Sequence, residues 1–117
     1  LSENIEPISI VDKYLEHSRI LIFCNGGDER IYLTSADWMY RNLDLRNEIA
    51  VPIYDKKIRE KLKKIIDIQL HDNTKARILD AKQDNKYTPV LAGEKKVRAQ
   101  DEIYTYFKGR LLAHKPK

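Results

Sequence analysis

At 117 residues, with 34% charged side chains and a net charge of +4, the chain has room for one domain with a modest core. Its mean hydropathy is −0.60 and no apolar run approaches the ~20 residues of a membrane-spanning helix, so no helical membrane span is expected, and the first residues lack a signal-peptide pattern. Beginning at Leu1, the chain reads as a piece of a larger protein.

In chain order, the segment up to Pro7 is polar and reads as an irregular lead-in. From Ser9, the apolar positions Ile10, Val11, Tyr14 and Leu15 recur at helical offsets, and Ser9 with Asp12 resembles a helix start, so a two-turn helix ending near Glu16 is expected. Arg19 to Cys24 is a short apolar run, ILIFC, whose length and β-branched content predict a buried strand. Cys24, the single cysteine, is expected to pack there as a small hydrophobe; it cannot close an internal disulfide, which favours a reducing, cytoplasmic setting. Asn25-Gly26-Gly27-Asp28 supplies a tight turn, and Arg30 to Thr34 returns as the second strand of a hairpin.

Ser35 to Asn42 reads as a loop or as a short helical turn capped by Ser35, with Trp38 as a packing anchor. Asn47 to Tyr54 is a third strand with Ile49, Val51 and Ile53 on one face; Pro52 lacks a ladder N–H and places it at an edge or on an unpaired side. The clearest helix starts with Asp55 as N-cap and runs to Leu70 or His71, burying Ile58, Leu62, Ile65, Ile66 and Leu70. Thr74 to Leu79 reads as a short extended piece, Asp80 to Glu94 as a surface loop, and Val97 to about Leu112 as a last helix with Ala99, Ile103, Tyr106, Phe107 and Leu111 inward. The tail from His114 is expected to fray. The implied fold class is α/β, a small mixed sheet with helices packed against it.

Charge is unevenly spread. Residues 55–117 hold 17 Lys/Arg against 9 Asp/Glu, whereas residues 1–54 hold 5 against 9. The second half therefore attracts polyanions, and composition does not separate nucleic acid from polyphosphate. The Lys- and Arg-rich side of the Asp55 helix is read first as a solvated face.

The leading candidate is His17, since an imidazole can serve as nucleophile or as acid/base in phosphoryl transfer; from the residues alone a lone His beside a strand is more often structural, and a family resemblance is what selects it. Arg46 is the second candidate, because a guanidinium binds phosphate oxygens bidentately; the alternative is an ion pair with Asp44 or Glu48. Arg19 and Arg41 are further candidates for the same anion, with Asp37, Asn42 and Glu48 orienting the cations. The single Cys and scattered His offer no zinc spacing, and Gly26-Gly27 lacks the Gly-Lys-Ser/Thr ending of a Walker loop.

The strings His17-Ser18-Arg19, NGGDE (25–29), IYLTSADWMYRN (31–42), DLRNE (44–48), NTKAR (73–77) and KVRAQ (96–100) resemble the last domain of bacterial polyphosphate kinases, a family with a phospholipase D-like fold, over essentially the whole chain. The resemblance implies a C-terminal catalytic domain, residues 1–117, whose preceding domains are absent. It implies reversible transfer of the terminal phosphate of ATP to inorganic polyphosphate through a phosphohistidine in the preceding domain, and hence a fragment inactive alone. His17 would match the second of two family histidines, the one facing the nucleotide phosphates, and Arg46 a family arginine near the phosphate site; neither His71 nor His114 sits in a matching motif. The phospholipase D signature, H-x-K, then Asp, then G-S-x-N, is met only by His17-Ser18-Arg19, Asp28 and Thr34-Ser35-Ala36-Asp37, departing at Arg19, at the spacing to Asp28, at Thr34 and at Asp37. Those departures weigh against a phosphodiesterase; a basic nucleic-acid-binding module is the other alternative. The family further implies Mg2+ held by ligands outside this chain, ATP and polyphosphate as substrates, the preceding domains as partners, no nucleic acid, a homo-oligomeric parent, and a cytoplasmic location compatible with peripheral membrane association.

Overall fold

A computed structural model of the chain describes residues 3–113, with side chains through residue 110. In order it contains β1 (Ile8–Ile10), β2 (Ile20–Phe23), β3 (Arg30–Thr34), α1 (Tyr40–Leu43), β4 (Ala50–Pro52), α2 (Lys56–Leu70), β5 (Ala76–Ile78) and α3 (Ala99–Ala113). Contacts cluster into two compact units, one of residues 16–64 and one joining the residues up to Leu15 to those from Ile65 onward. The architecture is α/β, as expected, but the pairings are antiparallel throughout rather than mixed.

In the unit of residues 16–64 the sheet order is β2-β3-β4. The hairpin register, Ile22 opposite Ile31 and Phe23 opposite Arg30, follows from a turn whose Asn25, Gly26 and Gly27 have φ of 46°, 63° and 98°, left-handed values that glycine and asparagine tolerate best. Ile31, in the middle strand, is 2% exposed and is the core of this sheet. β4 is an edge strand, so Pro52 removes no ladder bond on its free side. Asp55 caps α2 as expected, its Oδ1 accepting from Ile58 N at 2.9 Å. Glu29 then ties the first turns of α2 to the hairpin, with its carboxylate 3.0 Å from Lys63 Nζ and 3.6 Å from Arg59 Nη2, while Arg59 also donates to the Glu29 carbonyl. Arg59 is thus partly buried against the hairpin, whereas Lys63 keeps an exposed side chain, in keeping with a largely solvated basic face.

Three expectations fail here. β2 is not a buried strand, since Ile22 and Phe23 are exposed. Cys24 is exposed, because the chain has already left the strand and entered the turn. Trp38 is 86% exposed and anchors nothing within the described residues.

In the other unit, β1 pairs with β5, Ser9 opposite Arg77, and Tyr87 bridges to Arg77 on the far side. The helix expected from Ser9 is therefore absent. Ile8 and Ile10 are ladder residues, and Asp12, read as part of a helix start, accepts two bonds from Arg98, Nη2 to Oδ1 at 2.6 Å and Nε to Oδ2 at 2.8 Å. Tertiary pairing has overridden a weak local periodicity. The Arg77 guanidinium carbon lies 3.2 Å from the centroid of the Tyr87 ring, a cation–π contact that fastens the 80–94 loop to β5.

The centre of this unit is Asp72, 1% exposed. Its Oδ1 accepts from the backbone N–H of Thr74 (3.0 Å), Lys75 (2.6 Å) and Ala76 (3.0 Å), and its Oδ2 from Ala99 N at 2.7 Å, capping α3. Asn73 bonds the facing strip, Nδ2 to Lys95 O at 3.0 Å and Oδ1 from Val97 N at 2.7 Å. These bonds start α3 at Ala99, two residues later than expected. In α2 the stripe is displaced: Ile68 is the most buried position, whereas Ile58 and Leu70, near its ends, are exposed. The side chain of Leu111 and the tail from His114 lie outside the described residues. No helix among the described residues is long and apolar enough to cross a membrane.

Candidate anion-binding site

The candidate side chains sit on one unit, around the end of the three-stranded sheet. The ladder continues one residue before β2, where Thr34 N donates to Arg19 O at 2.9 Å. Arg19 is therefore fixed beside the exit of β3, where the chain continues into Ser35, Ala36 and Asp37. Ala36 N bonds Thr34 Oγ1 at 3.1 Å, which turns the backbone sharply. The result is a two-point ion pair, Arg19 Nε to Asp37 Oδ1 at 2.5 Å and Nη2 to Oδ2 at 3.1 Å, with side chains only 28% and 36% exposed. Arg19 Nη2 also lies 3.3 Å from His17 Nδ1, and His17 itself is exposed. The Arg19 guanidinium holds the Asp37 carboxyl below its ordinary value, against the opposing effect of desolvation, and the charges of His17 and Arg41 add to the lowering. Arg19 is raised in turn, chiefly by the bond to Asp37.

A second carboxylate supports the rim from behind. Glu48 accepts from Ser35 Oγ through Oε2 and from Asn42 Nδ2 through Oε1, the latter at 2.6 Å, and Ser35 Oγ accepts from Ile49 N at 3.1 Å. Those two side-chain bonds lower the Glu48 carboxyl, with the fields of Arg46 and Arg19 contributing less. Ser35 therefore does not cap α1. The cap position is Met39, with no side-chain bond, and the Ser35 hydroxyl serves Glu48 instead. Within α1, adjacent residues point about 100° apart, so Asn42 is 5% exposed while Arg41 faces solvent.

Arg41 and Arg46 are both exposed and, among the described residues, neither makes a direct ion pair. The pairing of Arg46 with Asp44 or Glu48 weighed from the sequence is not formed, although Arg46 is near enough for its charge to act on Glu48. His17, Arg41 and Arg46 are thus left available, whereas Arg19 is largely spent on Asp37. Asp37 orients a cation as expected. Asn42 orients Glu48 rather than a cation, and Ser35, read from the sequence as a cap and as part of the Thr34-Ser35-Ala36-Asp37 string, bonds Glu48.

A cleft of about 280 Å3 in this unit is lined by Asp28, Glu29, Arg30, Tyr32, Tyr54 and Arg59 among others, and His17 is not part of it. The larger apolar groove, about 480 Å3, belongs to the other unit and is lined by Ile5, Pro7, Ile8, Ile78 and Leu79. His71 closes α2 with its Nδ1 2.8 Å from Asp67 O. Among the described residues no group of three or more His, Cys, Asp or Glu is placed to hold a metal.

An exposed imidazole and two guanidiniums without direct ion pairs among the described residues, with satisfied carboxylates in the same unit, are groups whose chemistry suits phosphate oxygens. The chain belongs to the polyphosphate kinase C-terminal domain 2 family, whose model matches residues 1–100. Over 108 residues it is 51% identical to the polyphosphate kinase of Escherichia coli, covering 92% of this chain and 16% of that protein. It is 50% identical to the polyphosphate kinase of Salmonella typhimurium over the same length. The crystal structure of polyphosphate kinase from Porphyromonas gingivalis matches with a TM-score of 0.86 at 48% identity, covering 92% of this chain and 16% of that one. The chain therefore spans about one sixth of the length of these relatives.

Proposed function

We propose that this chain is the C-terminal part of a polyphosphate kinase and supplies the phosphate-facing rim of a site completed by preceding domains of the same polypeptide. The reaction is reversible transfer of the terminal phosphate of ATP to inorganic polyphosphate, through a phosphohistidine in the preceding domain. The observation that carries this reading is the pair Arg41 and Arg46, exposed and, among the described residues, without direct ion pairs, in the same unit as the exposed His17, in a chain half identical to polyphosphate kinases. Guanidiniums held this way can offset charge on a transferring phosphoryl group. Asp37 and Glu48 bind no substrate; they fix Arg19 and the backbone after β3, so the rim keeps its shape when an anion arrives. Mg2+ would enter with the ATP phosphates and be held by groups outside this chain, and the parent enzyme would work in the cytoplasm.

The test is titration of the 117-residue chain with long-chain polyphosphate and with single-stranded DNA at matched charge and salt, for wild type and for His17→Ala/Arg46→Ala. Preference for polyphosphate in the wild type, lost in the double variant, is the expected result. Equal binding of both polyanions, unchanged in the variant, would overturn it. Incubated with ATP, the chain alone is expected to make no polyphosphate; synthesis would overturn the assignment of the phosphohistidine to another domain.

A further inference from the structure

We propose that Arg19, clamped by Asp37, fixes His17 in the tautomer that carries its proton on Nε2, so that the ring offers phosphate an N–H donor rather than a nucleophilic lone pair. This rests on the phosphate-site reading above. The argument is an inventory of donors. A guanidinium has five N–H groups and accepts nothing. With Arg19 Nη2 3.3 Å from His17 Nδ1, the only hydrogen bond available between them has Nδ1 as acceptor. A neutral imidazole whose Nδ1 accepts has its single proton on Nε2.

Arg19 has donors enough for both neighbours. Its Nε serves Asp37 Oδ1 at 2.5 Å, one Nη2 hydrogen serves Asp37 Oδ2 at 3.1 Å, and the second Nη2 hydrogen is left for His17. The two-point clamp and the partial burial of both side chains hold the plane of the guanidinium, and with it the direction of that last N–H. Had the Asp37 carboxylate faced Nδ1, the ring would carry its proton there and expose a lone pair at Nε2, the arrangement a nucleophile needs. The order Asp37, Arg19, His17 reverses that polarity. Arg19 and Asp37 are then positioning residues, and His17 acts by donating from Nε2 to a phosphate oxygen, in keeping with a phosphohistidine located elsewhere.

The experiment is a long-range 1H–15N correlation of the histidine rings in the labelled 117-residue chain at mildly alkaline pH, with the His17 signals identified by their loss in His17→Gln. Because free imidazole already favours the Nε2–H form, the discriminating quantity is the minor Nδ1–H fraction. In wild type it is expected to be undetectable. In Arg19→Met it is expected to rise severalfold, and in Arg19→Lys, which still has a donor, to stay low. A detectable Nδ1–H fraction in wild type overturns the proposal without any variant. If Arg19→Met does not fold, Asp37→Asn, which loosens the clamp but keeps its shape, is read instead; a folded variant with no change in the tautomer also overturns it. Adding inorganic tripolyphosphate to the same sample and following the amides of Arg41 and Arg46 tests the phosphate-site reading separately: silent amides would sink that reading and leave the tautomer result standing.

Discussion

The two units of this protein use polar side chains in opposite ways. In the unit that joins the two ends of the chain, Asn73, Thr74, Arg98 and Gln100 of the NTKAR and KVRAQ strings, with the neighbouring Asp72, are bonded within the fold. Asp72 satisfies four backbone N–H groups, and Arg98 is committed to Asp12 and Asp101. Gln100 trades bonds with the backbone of Tyr14, at 2.7 Å to its carbonyl and 3.2 Å from its N–H. In the unit of residues 16–64, Asp37 and Glu48 are likewise satisfied, Asn42 bonds Glu48 through Nδ2 while its buried Oδ1 has no partner, and Arg41 and Arg46 make no direct ion pair among the described residues. A buried polar group without a partner is costly, and Asn42 Oδ1, Arg77 Nε and Nη1 and Thr88 Oγ1 are left so here. Charges that remain unspent on a satisfied framework mark the surface where a ligand is expected, and idiosyncratic sequence alone does not distinguish the two uses.

Breaking the first kind of network should produce the largest effect. Asp72→Ala leaves four N–H groups in a closed environment without their acceptor, and the expected loss is about 3 kcal/mol of unfolding free energy, read from urea denaturation. A loss below about 1 kcal/mol would mean that water replaces the carboxylate there and that the contrast drawn above is overstated. The second kind of residue should respond the other way round. Arg46→Ala is expected to change stability by no more than about 0.5 kcal/mol, as an exposed side chain without an ion pair does. Its affinity for polyphosphate should fall about tenfold, the equivalent of one charge-assisted contact. A variant that lost stability instead of affinity would move Arg46 into the structural class.

The sequence showed the local features and missed those that depend on distant partners. The hairpin was legible because strand, turn and strand are adjacent and Asn25-Gly26-Gly27 supplies the required backbone. The start of α2 was legible because Asp55 caps three residues ahead. β1 was not, since its partner lies 68 positions further on and three residues carry too little periodicity to outweigh a helical pattern. Within the site, Arg19, Arg41 and Arg46 could be named by chemistry, and His17 with the help of the family resemblance. That Arg19 is consumed by Asp37, 18 residues away, or that Ser35 reaches Glu48, required the fold.

Acid separates the two units by a smaller effect. Asp12 is held below its ordinary 3.8, first by the bond from Arg98, and its side chain is 2% exposed. Asp37 is held below the same value, first by Arg19, but its side chain is 36% exposed. A carboxyl lowered by folding contributes stability that is fully present above its unfolded value and is lost as pH falls through the folded one. Both pairs therefore stabilise at neutral pH and fail on the acid side, below 3.8. Asp12→Asn should be less stable than wild type at neutral pH, and the gap should narrow as pH drops through that window, because the wild type is losing the same interaction. Asp37→Asn should behave in the same sense with a smaller gap, since solvent and salt screen an exposed pair. Urea midpoints measured from neutrality downward, with and without added salt, give both comparisons. Salt should shrink the Asp37 gap more than the Asp12 gap. Parallel curves for wild type and Asp12→Asn down to the lowest pH at which both fold would show that Arg98 holds Asp12 by shape and packing rather than by charge.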